Sequence, residues 1–132
     1  MNTFKIELEE RLIGFAATVM TLSEELPDSL GAKNLAAQLV RTGTAPALSY
    51  AAAQSAYSPR DFLNKLKLCL KDLRETQICL RIVKRKQFLA DHIVEPLLEE
   101  CGHLIALFSK SVKTKKTNML NEKKAKLEES LV

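Results

Sequence analysis

Apolar residues recur along this chain in alternating steps of four and three. The first run, Leu8, Leu12, Phe15, Val19, Leu22 and Leu26, places one stripe along a helix packed against others. It predicts a first helix over residues 2–25, stopped at Leu26-Pro27 because the residue before a proline is pushed out of helical geometry. Asp28 or Ser29 can cap a second helix, which the pattern carries to about residue 56. Pro46 falls inside it, where proline removes a hydrogen bond and clashes with the preceding turn at about 3 kcal/mol. The surrounding Ala45, Ala47, Ala51, Ala52 and Ala53 are small, strong helix formers, so the expectation is a kink near Pro46 within one helix.

Ser58-Pro59-Arg60-Asp61 reads as a compact helix start, with Ser58 as N-cap, Pro59 in the first turn and Asp61 reaching back in a capping box. Phe62, Leu66, Cys69, Leu73, Thr76, Leu80 and Val83 then continue the four-three rhythm to about residue 86. Leu63, Leu68, Leu70, Cys79 and Ile82 lie outside that stripe, so the apolar arc is wider than one seam needs. Either this helix touches two neighbours in its own bundle, or part of the arc faces another subunit. A turn over residues 87–91 leads to a fourth helix from Asp91 or Glu95 to about residue 113, with Pro96 in its first turn and Leu97, Cys101, Leu104, Phe108 and Val112 as its stripe. Four stripes and short connections predict an all-α, up-down-up-down antiparallel four-helix bundle over residues 1–113. Residues 114–132, rich in lysine, read as a flexible basic tail that Met119, Leu120 and Leu127 could fold against a partner.

Composition narrows the class. The chain has 132 residues, the size of one domain, with 46% hydrophobic and 27% charged residues and no Trp, so its core must be aliphatic. Apolar runs are broken before the ~18 residues a membrane span needs, and the first residues lack a signal-peptide pattern. The odd set of Cys69, Cys79 and Cys101, without C-x-x-C spacing, suggests reduced thiols used as small apolar fillers in a cytoplasmic protein, with no metal and no cofactor. His92 and His103 have no nucleophile or carboxylate at a spacing that fixes catalytic geometry, so no enzyme is expected.

Net charge is +4, and its distribution is uneven. Over residues 60–86 nine basic residues stand against Asp61, Asp72 and Glu75, whereas the first helix carries Glu7, Glu9, Glu10, Glu24 and Glu25 against Lys5 and Arg11. Two readings stay open: helices one and three, or neighbouring subunits, present opposite charges to each other, or the basic residues bind phosphate. On the second reading Arg74, Arg81, Lys84, Arg85 and Lys86 join Lys113, Lys115 and Lys116 in one patch that contacts RNA or DNA by shape and charge. Helix C-termini also favour cations, which gives part of the cluster an ordinary structural purpose.

The run R-T-G-T-A-P-A-L-S-Y-A-A-A from Arg41, the break at Ser58-Pro59, and D-F-L-N-K-L from Asp61 on to L-R-E-T at Thr76 resemble the hallmark of four-helix-bundle proteins first associated with intervening sequences in 23S ribosomal RNA genes. The resemblance spans about residues 26–108. Arg41, Thr44 and Tyr50 fit the first part of the family pattern, and Asp61, Phe62, Lys65, Glu75 and Thr76 fit the second. Ala45, Pro46, Ser49 and Ala52 replace the family's Ser, Ile, Asn and Glu, shortening a polar cluster. The remaining polar residues, Arg41, Ser49, Tyr50, Gln54, Glu75 and Thr76, are then expected to satisfy buried groups between helices two and three. The resemblance implies a homo-oligomer, often a fivefold ring, and a related accessory protein of reverse-transcriptase systems binds nucleic acid through a basic surface. A binding or scaffolding oligomer that contacts nucleic acid is one function this suggests; an adaptor that binds only protein is the other.

Overall fold

A computed structural model describes residues 3–131 of the chain as four helices: α1 (Thr3–Glu24), α2 (Leu30–Ala53), α3 (Pro59–Arg85) and α4 (Asp91–Ser130). The expected helix start at Asn2 lies outside the described residues, as does Val132. Consecutive helices pack on one another and α4 closes on α1, making a four-helix bundle. Paired positions fix the antiparallel registers. Thr42 meets Thr76 and Pro46 meets Cys69 across α2 and α3, Leu73 meets Cys101 across α3 and α4, and Arg11 meets Glu100 across α1 and α4.

Every stripe faces inward. Leu8, Leu12, Phe15, Val19 and Leu22 of α1 join Leu35, Leu39 and Tyr50 of α2, Leu66, Cys69, Leu73, Leu80 and Val83 of α3, and Leu97, Cys101, Leu104, Phe108 and Val112 of α4 in one core. Tyr50 meets Phe108 edge to face, with ring centroids 5.9 Å apart, an arrangement the ring quadrupoles favour. Of the wider arc on α3, Leu63 and Cys79 are buried, Leu70 is half-buried, and Leu68 and Ile82 stay exposed. The reading of contact within the bundle therefore holds for Leu63 and Cys79, while Leu68 and Ile82 are left uncovered in the single chain.

Local sequence sets the ends. Ser29 caps α2 by accepting from the Ala32 N–H at 3.3 Å, and Ser58 caps α3 by accepting from Asp61 N–H at 3.0 Å. The capping box is only half formed: Asp61 Oδ1 accepts from Lys65 Nζ at 2.6 Å instead of reaching back, and its Oδ2 has no partner among the described residues. At the other end of α3, Gln87 adopts φ 54°. The Phe88 N–H donates to Val83 O at 3.2 Å and the Gln87 N–H to Lys84 O at 3.0 Å, the paired bonds of a Schellman ending. The helix therefore stops on a non-glycine residue in the left-handed region.

Two helix ends and the turn that holds Pro96 differ from expectation. The α2 helix ends at Ala53, short of residue 56, while it passes through a buried Pro46 as one helix, as expected. The Cys69 thiol donates to the Pro46 carbonyl at 3.5 Å, so α3 supports the backbone just past the lost hydrogen bond. Pro96 sits in the second turn of α4, because that helix starts at Asp91. Finally, α4 does not fade near residue 113 but stays helical to Ser130. After Gly102 it contains neither glycine nor proline, and Lys, Glu, Ala, Leu and Met sustain a helix by propensity where burial has ended.

One glycine is fixed by packing. A Cβ on Gly43 would lie 2.6 Å from Val19 Cγ1, so its bare backbone is what lets α2 approach α1 this closely.

Candidate nucleic-acid interface

The face of α3 opposite its core stripe carries the most distinctive charge in the molecule. Arg60, Lys67, Lys71, Arg74, Arg81 and Arg85 repeat by sevens, fours and threes, with Asn64 and Ile78 filling the two gaps, and all eight residues are exposed. At 1.5 Å per residue the row is about 38 Å long. Lys71 is loosely paired with Glu75 at 3.9 Å, and Arg74 donates to Ser109 Oγ of α4 at 3.5 Å. Such exposed contacts restrain the side chains weakly.

The residues expected to form one basic patch are divided by the fold. Arg74, Arg81 and Arg85 lie in the row. Lys84 is turned to Glu95 of α4 at 3.0 Å, and Asp91 and Glu99 line the same hollow as Arg81, Lys84 and Arg85. The helix end is thus partly neutralised. Lys86, the C-cap residue, lies over the Phe88 ring at 5.7 Å. Lys113, Lys115 and Lys116 belong to α4 near the other end of the bundle, where Lys115 lies over the Phe62 ring at 5.6 Å. From Phe62 to Lys84 along α3 is about 33 Å, so these lysines do not join the α3 end. Arg60, Lys67 and Lys71 extend the row, and their spacing, in phase opposite the apolar stripe, is the sequence signal that marks them.

Nor do the charges of α1 and α3 face each other, because these helices sit diagonally across the core, with no close approach of their backbones among the described residues. The ion pairs between helices are Arg11 with Glu100, at 2.7 Å, and Lys84 with Glu95, among the described residues. Most of the acidic charge of α1 and the basic charge of α3 therefore points outward on different sides.

The family-motif residues serve the interior more than a surface. Thr76 and Thr42 are buried, and the Thr76 hydroxyl has the Thr42 oxygen at 2.9 Å and the Asp72 carbonyl at 2.8 Å as acceptors for its one proton. Thr42, whose own hydroxyl donates to Gln38 O at 3.0 Å, completes a polar link between α2 and α3 that the motif alone does not name. Thr44 donates to Val40 O at 2.6 Å, and Gln54 Nε2 to Tyr50 O at 3.3 Å. Arg41 is exposed beside Glu75, Ile78 and Ile82 in a groove between α2 and α3. Burial, followed by the charge of Glu75, raises the Asp72 carboxyl above its usual range. Tyr50 and Phe62 instead line an apolar hollow of about 550 Å³ at the far end, with Lys5, Lys110 and Lys115 among its lining residues.

All three thiols are buried, and burial pushes Cys69 and Cys101 up to about 12 and Cys79 up as well. They stay protonated, as apolar fillers do. Cys101 is enclosed while His103 is exposed, so the two point to different surroundings. Among the described residues, no helix is long and apolar enough to cross a membrane.

A model of the 23S rRNA-intervening sequence protein family matches residues 5–110, and the chain belongs to that family. The crystal structure of a protein of unknown function from the S23 ribosomal protein family of Bacteroides thetaiotaomicron VPI-5482 is similar over 83% of this chain and 97% of that one, with TM-score 0.75 and 23% identity. That likeness shows the shared fold. No curated protein matches the chain.

Proposed function

We propose that this protein is a non-enzymatic, self-associating four-helix bundle that offers the outward face of α3 to the phosphates of RNA or DNA. The observation that carries the reading is the row of six exposed basic residues from Arg60 to Arg85, set opposite the stripe that faces the core. A straight cationic row on a rigid helix suits backbone contact, which needs charge and spacing and no base-reading groups. Self-association is supported by Ile13 on α1, Leu48 on α2 and Leu68, Ile78 and Ile82 on α3, all exposed in the single chain. A fivefold ring is the arrangement the family resemblance implies.

A second reading, an adaptor for protein alone, draws on the α2–α3 groove, where Leu35, Ile78 and Ile82 sit beside Arg41, Arg74 and Glu75. Apolar residues flanked by charges of both signs suit an amphipathic helix from a partner. Fluorescence anisotropy with labelled RNA and DNA across a salt series separates the two. Phosphate binding gives a log-log slope of roughly −0.7 to −0.9 per contact, whereas no anisotropy change even at low salt overturns it and leaves the adaptor. Sedimentation tests the assembly: a monomer at every concentration refutes self-association.

A further inference from the structure

The helical extension of α4 beyond the family-matched region, which ends at residue 110, has an unpartnered face with a specific composition. Leu120, Leu127 and Leu131 are all more than half exposed, the last at 79%. At about 100° per residue they fall on one line, and Lys113, Lys116, Lys123 and Lys124 lie within about 60° of it on both sides. Glu122 and Glu129 lie across the helix. Its leucine line, bare in the single chain, is the face that a partner would cover.

A matching face exists on α1. Ile6, Ile13 and Met20 recur every seven residues and are each 42–49% exposed. Glu9 flanks their line on one side, and Glu10 and Glu24 on the other, within about 60°. Ala17 beside it is small and exposed, so another helix can approach. The extension cannot reach the α1 of its own chain. Phe4 and Lys5 of α1 already lie beside Ser111 to Asn118 of α4, and the antiparallel α4 continues past that end of the bundle.

We infer that the α4 extension of one copy lies along the Ile6-Ile13-Met20 face of α1 of a second copy, leucine line against isoleucine line, with the extension's lysines beside the glutamates of α1. The α1 line steps by sevens and the leucine line by seven and four, each keeping to one helix face, and their flanking charges are opposite in sign. The contact is heterologous: each copy gives an extension and receives one, so successive copies close a ring or run into a chain. This rests on the self-association proposed above and adds the surfaces that make it.

The test uses two full-length variants, Glu10→Lys/Glu24→Lys and Lys123→Glu/Lys124→Glu, whose folding is checked by circular dichroism and whose mass is measured by sedimentation. All four residues are exposed, so the bundle should stay folded. Each variant alone is expected to associate at least about tenfold more weakly than the natural chain, because every contact then opposes like charges. An equimolar mixture is expected to regain association, since each extension then finds a complementary α1. Unchanged mass for either variant overturns the inference while leaving self-association standing, as does a mixture that fails to recover. A natural chain that is monomeric refutes both. Loss of RNA binding, or of binding to phosphatidylserine vesicles, in Lys123→Glu/Lys124→Glu with mass unchanged assigns the extension to that ligand instead and overturns the inference.

Discussion

Substituting Gly43 with alanine separates local helix preference from packing, because the two act in opposite directions. In an exposed helix the change stabilises by about 1 kcal/mol. Here the new methyl would stand 2.6 Å from Val19 Cγ1 and 3.0 Å from both Cβ and Cγ2, against an optimum of about 3.5–4.0 Å between carbon atoms. Val19 is fully buried and, being β-branched in a helix, has one strongly preferred rotamer. Relief must come from forcing that rotamer or from parting α1 and α2, at about 2–3 kcal/mol for overpacking of this kind. The net expectation is a loss of about 1–2 kcal/mol, or about 3–8 °C in Tm for a domain of this size. Gly14→Ala, with nothing within 4 Å of the new atom, should instead gain up to about 1 kcal/mol. Urea denaturation followed by circular dichroism measures both. Adding Val19→Ala to Gly43→Ala removes the clashing methyls, so the double variant should be more stable than the sum of the two single losses by about 1–2 kcal/mol. A Gly43→Ala protein as stable as the natural one, or additive losses in the double variant, refutes the close-packing account.

Gln87 holds a left-handed backbone at the end of α3, so Gln87→Gly should stabilise the bundle by about 0.5–1 kcal/mol in the same denaturation assay. The native thiols should resist a disulfide reagent such as dithionitrobenzoate at pH 8 and react together on unfolding, because Cys69, Cys79 and Cys101 are enclosed. Stability should also fall in alkali. With Cys69 and Cys101 raised from 9.0 to about 12, the unfolded chain releases these protons above pH 9 while the folded chain keeps them. The thiol contribution is therefore whole below pH 9 and is lost from pH 9 towards 12, at about 1.4 kcal/mol per pH unit for each group. Cys69→Ala/Cys101→Ala should flatten that decline, at a lower starting stability.

The bundle was readable from sequence because the four-three stripes answer directly to burial: Leu12, Val19, Leu73, Leu80 and Phe108 all lie in the closed core. The start of α3 was readable too, since Ser58 and Pro59 act on the nearest turn. What sequence hid depends on partners distant in the chain. Glycine at 43 reads as a weak point in a helix, and only the position of Val19 turns it into a contact. Opposite charges on α1 and α3 suggest neighbours, yet the order of helices around the core places them on a diagonal. The extension of α4 escaped notice because helix propensity, rather than periodic burial, sustains residues 113–130. The same geometry divided the anticipated phosphate patch, while the phase of Lys67 and Lys71 with Arg81 and Arg85 was present in the spacing all along.

The cationic face of α3 is best tested by comparing the salt dependence of nucleic-acid binding between the natural protein and the folded variant Lys67→Gln/Lys71→Gln/Arg81→Gln/Arg85→Gln. If the row holds phosphates, the variant should bind more weakly and its log-log slope should shrink by about 3, the sum of four lost contacts. An unchanged slope, or one that falls only when Lys113, Lys115 and Lys116 are neutralised, contradicts the assignment.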